Sequence, residues 1–292
     1  MSESERDILI TEVGPRDGLQ NEPVRISTAD KISFVNQLSK AGVSDIEVSA
    51  FVRTDVIPQL SDAEDVFAGI KRHSEITYSA LVPNVRGLER AMESGVGKIA
   101  LFTAASETFA DRNTNSTIDG TLNRFKPVCQ TAHAAGIPVR VYVSCAVACP
   151  YEGPVAPEAV RSMISRVKAL GDVEIDLADT IGAASVVDIE KLLCEIAAEV
   201  PLDECVLHLH DTGGQAVACA RQAIEMGVRR FDAACGGLGG CPFAPGAPGN
   251  LSTEALVSLC ESMGMQSGID VKSMQHIGQW IRSTVVSHQG QR

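Results

Sequence analysis

The chain has 292 residues, 45% hydrophobic and 21% charged, which fits a packed globule and excludes a disordered polymer. Its 25 Lys and Arg face 37 Asp and Glu, a formal charge of −12 that argues against general nucleic-acid or anionic-membrane binding. Aromatic residues are only 4%, too few for a base-stacking platform.

Short β-type runs alternate with longer amphipathic patterns along the chain. The first strand is expected at residues 8–13, followed by the turn GPRDG and a helix over 29–41. A second strand at 45–49 precedes a helix at 62–72, and a third at 76–81 precedes one at 85–93. The fourth strand, 98–102, leads to a helix at 118–135, and the fifth, 139–144, to one at 157–170. The sixth and seventh strands, 173–177 and 206–209, feed helices at 186–199 and 214–226. The eighth, 230–234, leads to a closing helix near 253–263, with one more at 272–286. Several helices run into KAGV, ESGV, AAGI or EMGV, where a glycine supplies the left-handed cap before the next strand. Eight βα units predict an α/β fold, a (β/α)₈ barrel over about residues 8–268 with a C-terminal helical extension over 269–292. A doubly wound sheet is the rival. No repeat or linker marks a boundary, so one catalytic domain over residues 1–292 is expected, as α/β barrels fill ~250 residues as one unit.

The nine cysteines contain no CxxC pair, and the start MSESERD is polar and acidic, unlike a secretory or transit segment. No apolar run approaches the ~18 residues that span a bilayer. Free thiols and a cytoplasmic protein without membrane or nucleic-acid partners are expected.

In such a barrel the active groups sit at the C-terminal ends of the strands. Polar residues collect there. Arg16 and Asp17 follow strand one, Glu47 closes strand two, Cys145 follows strand five, and Asp179 follows strand six. Strand seven reads LHLHD. His208 and His210, two apart on a strand, face the same side, and an inward imidazole pair with a carboxylate such as Asp17 suits a divalent metal. The alternative is a pair of hydrogen-bonded core histidines. Arg16, Asp17 and Glu47 could form a structural ion-pair cluster, but desolvation makes burying three charges for stability alone unfavourable, and such clusters mark sites. The loop GGLGGCPFAPGAPGN, residues 236–250, holds six glycines and three prolines and fits neither GxxxxGK[ST] nor GxGxxG. It reads as a surface connection or a hinged lid, and Cys241 within it could donate a proton or attack as a nucleophile. The absence of an acyl-enzyme spacing favours the proton donor.

The motifs EVGPRDGLQNE (residues 12–22), YVSCAVACPYEG (142–153), ADTIG (178–182), HLHDTGGQA (208–216) and GGLGGCPFAPGAPGNLSTE (236–254) run in one colinear order. Through them the chain resembles the 3-hydroxy-3-methylglutaryl-CoA lyases, a family of metal-dependent barrel lyases. The Arg-Asp start and the HxHD strand are shared across the wider superfamily; the cysteine loop is the discriminating piece. The resemblance implies Mg or Mn held by Asp17, His208, His210 and Asn250. It implies a carbon–carbon lyase that cleaves its CoA thioester substrate to acetoacetate and acetyl-CoA, in leucine breakdown and possible homodimeric form. Arg16 would stabilise charge on the thioester oxygen, Asp17 or His208 would take the hydroxyl proton, and Cys241 would protonate the enolate. Glu47 and Asp179 would orient Arg16 and the substrate hydroxyl, and Gln20 would line the acyl pocket. One position departs from the family: Gly213 stands where members often carry an aromatic ring, which implies a looser acyl pocket. A lyase for a longer 3-hydroxy-3-alkylglutaryl-CoA, a condensing synthase of the superfamily, and a non-catalytic acyl-CoA-binding barrel are the alternative readings.

Overall fold

A computed structural model describes residues 6–239 and 249–289. Eight parallel strands close into a barrel: β1 (Leu9–Glu12), β2 (Asp45–Ala50), β3 (Thr77–Leu81), β4 (Lys98–Ala104), β5 (Val139–Ser144), then β8 (Glu174–Asp179), β9 (Val206–Leu209) and β10 (Arg230–Ala233). The two short strands between, β6 (Ala148–Cys149) and β7 (Gly153–Pro154), form an antiparallel hairpin outside it. Closure is direct: β1 pairs with both β2 and β10, with Thr11 opposite Asp45 on one side and Asp232 on the other. The doubly wound rival is thereby excluded.

The connecting helices are α1 (Thr28–Lys40), α2 (Ala63–Gly69), α3 (Val85–Glu93), α4 (Glu107–Thr114), α5 (Ile118–Ala134), α6 (Pro157–Lys168), α7 (Val186–Ile196) and α8 (Ala216–Met226). Two more, α9 (Thr253–Ser262) and α10 (Val271–Gln289), complete the chain. Their starts are written in short polar side chains. Ser27, Asn84, Ser106, Thr117 and Ser252 each accept a backbone N–H of the first turn, and Ser185 with Asp188 forms a reciprocal capping box. At the other end EMGV behaves as expected, with Gly227 closing α8 at φ 114°.

Two features depart from the expected pattern. Between the fourth strand and the helix expected at 118–135 lies a further helix, α4, whose sequence ETFADRNT buries only Phe109 and Ala110 and so carries almost no periodic apolar signal. The sixth strand runs two residues further than expected, so Asp179 ends β8 rather than following it.

The strands divide their faces by alternation. Odd residues of β5 and β8, such as Val141, Val143, Ile175 and Leu177, pack outward against the helices in one continuous apolar core. The even ones turn into a lumen that is unusually polar for a barrel. Arg140 there donates to Glu174 Oε2 (2.6 Å), Asp232 Oδ1 (2.7 Å) and Thr11 Oγ1 (2.9 Å). Lys98 completes the lower layer, bonded to Asp45 and 3.3 Å from Glu174. Burying these charges is tolerable only because each has partners. The eight cysteines among the described residues are free thiols, all buried except Cys194. No helix among those residues is long and apolar enough to cross a membrane.

Glu12 points the other way, out of the lumen and beneath both segments that will carry the site. Its Oε1 accepts the N–H groups of Gly14 (2.9 Å) and Cys235 (2.8 Å), and Oε2 accepts the Thr253 hydroxyl (2.6 Å). Burial pushes its pKa from 4.5 up to about 8, against those hydrogen bonds. The folded chain therefore keeps a proton that the unfolded chain has lost, and stability falls as pH rises from 4.5 to about 8. Glu12→Gln keeps one acceptor oxygen for Gly14 and Cys235 and offers an NH₂ that the Thr253 hydroxyl can accept, without the titration. Its Tm should therefore fall less across that window than the wild type's. Parallel Tm curves for the two proteins would contradict this.

Candidate metal centre

The site lies at the C-terminal mouth of the barrel, where three pieces of chain converge. After β1 the turn Gly14–Gly18 is a single π-helical turn in which Asp17 and Gly18 both donate backbone N–H to Val13 O. It leaves Arg16 buried at 6% exposure and turns Asp17 to the mouth. His208 on β9 and His210 just past its end turn to the same side. The third piece is Gly249–Leu251, held to the end of β9 by Asp211 N to Gly249 O (2.7 Å) and Leu251 N to Leu209 O (2.8 Å). This brings Asn250 opposite His210.

Asn250 Nδ2 lies 2.8 Å from Asp17 Oδ2 and 3.0 Å from Leu238 O. Packing here is tight: a Cβ on Gly239, at φ 96°, would fall 2.6 Å from Asn250 Nδ2. His208 Nε2 is 3.1 Å from His210 Nε2, and the two rings stand 3.9 and 4.0 Å from Asp17 Oδ2. One ligand atom from each of Asp17, His208 and His210 lies within 4.8 Å of the others.

The donor set fits a divalent cation. His208 Nδ1 meets Asp232 Oδ2 at 3.1 Å, a contact that keeps a proton on Nδ1 and turns Nε2 toward His210 and Asp17. Against burial, the hydrogen bond to Asp232 and the charge of Asp17 raise the pKa of the ring. Two imidazole nitrogens facing each other at that distance, with a carboxylate beside them, suit a metal better than they suit one another. Burial, with His208 beside it, lowers the pKa of His210 to about 4 and keeps it neutral. The Asp17 carboxyl resists burial because Arg16 and the two imidazoles hold its pKa well below the ordinary range. The His210 Nδ1 atom is buried with no hydrogen-bond partner among the described residues.

Arg16 is the second feature. Its Nε donates to Glu47 Oε2 (2.6 Å), its Nη1 to Asp17 Oδ1 (2.7 Å), and its guanidinium sits 5.3 Å above the Tyr142 ring. Burial raises the pKa of Glu47, opposed by Arg16. The ion-pair cluster expected from sequence is therefore real, and it adjoins the metal corner.

Other expected residues are placed as follows. Asp179 is buried, but its carboxylate accepts the N–H groups of Ala183 (3.1 Å) and Ala184 (2.9 Å), so it shapes the turn after β8. Gln20 follows the π turn, with a buried Oε1 that has no partner among the described residues. Gly213 is exposed three residues beyond His210, and its N–H meets Gly182 O at 3.2 Å. Cys241 lies outside the described residues. Sequence reasoning missed Tyr142 and Asp232. Tyr142 Oη sits 3.1 Å from both Glu47 Oε2 and Asp232 Oδ2.

A closed parallel barrel with two imidazoles, a carboxylate and an amide converging at its C-terminal mouth defines a barrel of the enzyme type with a candidate metal site. The HMGL-like family model matches residues 7–281, and the chain belongs to that family. It is 43% identical over 278 residues to the cytoplasmic 3-hydroxy-3-methylglutaryl-CoA lyase of Rattus norvegicus, covering 95% of this chain and 81% of the relative. It is 41% identical to a Pseudomonas aeruginosa protein named 3-hydroxy-3-isohexenylglutaryl-CoA/hydroxy-methylglutaryl-CoA lyase, over 98% of this chain and 96% of that one. The crystal structure of the HMG-CoA lyase from Brucella melitensis superposes with a TM-score of 0.93 at 43% identity, covering 95% and 98% of the two chains.

Proposed function

We propose that this protein is a hydroxymethylglutaryl-CoA lyase, cleaving 3-hydroxy-3-methylglutaryl-CoA to acetoacetate and acetyl-CoA with Mg or Mn. The observation that carries this reading is the meeting of Asp17, His208, His210 and Asn250 beside the buried Arg16. A cation held by those four residues would supply Lewis acidity toward substrate oxygens. The chain's own groups do the rest. Asp17 or His208 accepts the proton of the C3 hydroxyl as its oxygen becomes the acetoacetate carbonyl. The C2–C3 bond breaks, and its electron pair passes into the thioester as an enolate. Arg16, held by Glu47, opposes the charge that develops on the thioester oxygen. Cys241 returns a proton to C2 to give acetyl-CoA. Asp179 fixes the turn after β8, and Gln20 lines the acyl pocket.

The test is incubation with the thioester and Mg or Mn, assayed for both products. Appearance of acetoacetate and acetyl-CoA supports the lyase. Thiol release from acetyl-CoA and a keto acid would support a synthase instead, and silence in both assays a binding protein.

Gly213 favours a second reading, a lyase that also takes C3 substituents longer than methyl. An added methylene changes binding by only ~1–3 kcal/mol, so a pocket without the ring should accept longer chains with modest loss. Gly213→Tyr should restore preference for methyl, once Gly182 O, 3.0 Å from the new Cβ, gives way slightly. An unchanged ratio of kcat/KM between methyl and longer thioesters would contradict this.

A further inference from the structure

We propose that Asp232 is a positioning residue that fixes His208 as a ready metal ligand and ties it, through Tyr142, to the Arg16–Glu47 pair. The inference rests on the metal reading above and goes beyond it.

Asp232 lies in the middle of the lumen on β10, 1% exposed, and its two oxygens have divided duties. Oδ1 accepts from Arg140 Nη1 at 2.7 Å, and Arg140 is itself pinned by Glu174 and Thr11. The carboxylate is thus anchored from below. Oδ2 faces upward, 3.1 Å from His208 Nδ1 and 3.1 Å from the Tyr142 hydroxyl. A carboxylate can only accept, so the His208 ring keeps its proton at Nδ1 and presents Nε2 to the metal corner. His210 has no such partner, since its Nδ1 is orphaned among the described residues. The two imidazoles are therefore held by different means, and loss of Asp232 falls on His208. From Tyr142 the chain of contacts continues to Glu47 Oε2 (3.1 Å) and on to Arg16 Nε (2.6 Å). The Tyr142 ring stands edge-on to His208, centroids 6.0 Å apart, and lies beneath the Arg16 guanidinium.

Asp232→Asn separates positioning from packing. Arg140 only donates, so it claims the new amide oxygen and turns the NH₂ toward His208 Nδ1. That arrangement moves the imidazole proton to Nε2 and blocks the lone pair that would bind metal. Manganese binding by full-length protein, followed by calorimetry or electron paramagnetic resonance, should weaken about 10–100-fold. Glu174→Gln is the control: Glu174 also accepts from Arg140 (2.6 Å) and faces Lys98 and Arg230, but among the described residues its carboxylate makes no hydrogen bond to Asp232 or His208, so manganese affinity should stay near wild type. An Asp232→Asn protein binding as tightly as wild type, or an equal loss in Glu174→Gln, would overturn the inference alone. Wild-type protein that binds no manganese would overturn the metal reading and the inference together. Should Asp232→Asn not fold, nitrogen-15 NMR of the metal-free wild type decides. At alkaline pH the His208 ring should carry its proton on Nδ1, and a proton on Nε2 would overturn the inference.

Discussion

Cys241→Ala is expected to lower turnover of 3-hydroxy-3-methylglutaryl-CoA about 10²–10⁴-fold, the usual contribution of a general acid. Cys241 is the proposed proton donor, while the residues proposed to hold the metal are Asp17, His208, His210 and Asn250. Metal affinity and thermal stability should therefore barely move, and substrate affinity should survive. Cys241→Ser should be nearly as poor, because an alcohol is a far weaker acid than a thiol. Alkylating the wild type is a weaker test, since eight other cysteines could react. Near-normal kcat in Cys241→Ala would show that the proton comes from another group.

Arg16→Gln should lower kcat about 10²–10³-fold, the cost of removing one donor from a developing oxyanion. The reason is geometric as well as electrostatic. Arg16 is buried at 6% exposure and gripped by Glu47 and Asp17, so its guanidinium is aimed before substrate arrives. Lys at this position should rescue little, because a point ammonium cannot reproduce the planar fork that engages two carboxylates at once. Manganese affinity should change far less than kcat, as His208, His210 and Asn250 are untouched. The variant also leaves Glu47 buried without its cation, which destabilises the fold. Circular dichroism at the assay temperature separates that loss from the kinetic one. A folded Arg16→Gln enzyme with wild-type kcat would remove Arg16 from the mechanism.

The barrel was legible because its strands and helices keep their periods. The pairing of His208 and His210 on one face was readable from spacing two, and the carboxylate proposed for them, Asp17, stands beside them. The same spacing carried a signal that went unread. Arg140 and Tyr142, Glu174 and Asp176, and Arg230 and Asp232 each sit two apart on buried strands, so each pair shares a face. Polar residues at that period in a buried strand can only be stable if they meet one another across the lumen. Such meetings join residues up to 129 positions apart, as Thr11 and Arg140 do, and no local pattern records which partner each finds. Asp179 illustrates the converse. Its position at a strand end was readable, but its bonds to Ala183 and Ala184 depend on the turn that follows. Helix α4 was lost for want of periodicity, and Asn250 was found only through its motif, because a backbone pairing with β9 brings it to the site.

Metal withdrawal tests the central claim most directly. Protein treated with a chelator and freed of it by gel filtration should form no acetoacetate from 3-hydroxy-3-methylglutaryl-CoA. Adding Mg or Mn back should restore product, saturating at one ion per chain, and His208→Ala should fail to respond at the same metal concentration. Full activity in the chelated protein, without added metal, would contradict the account.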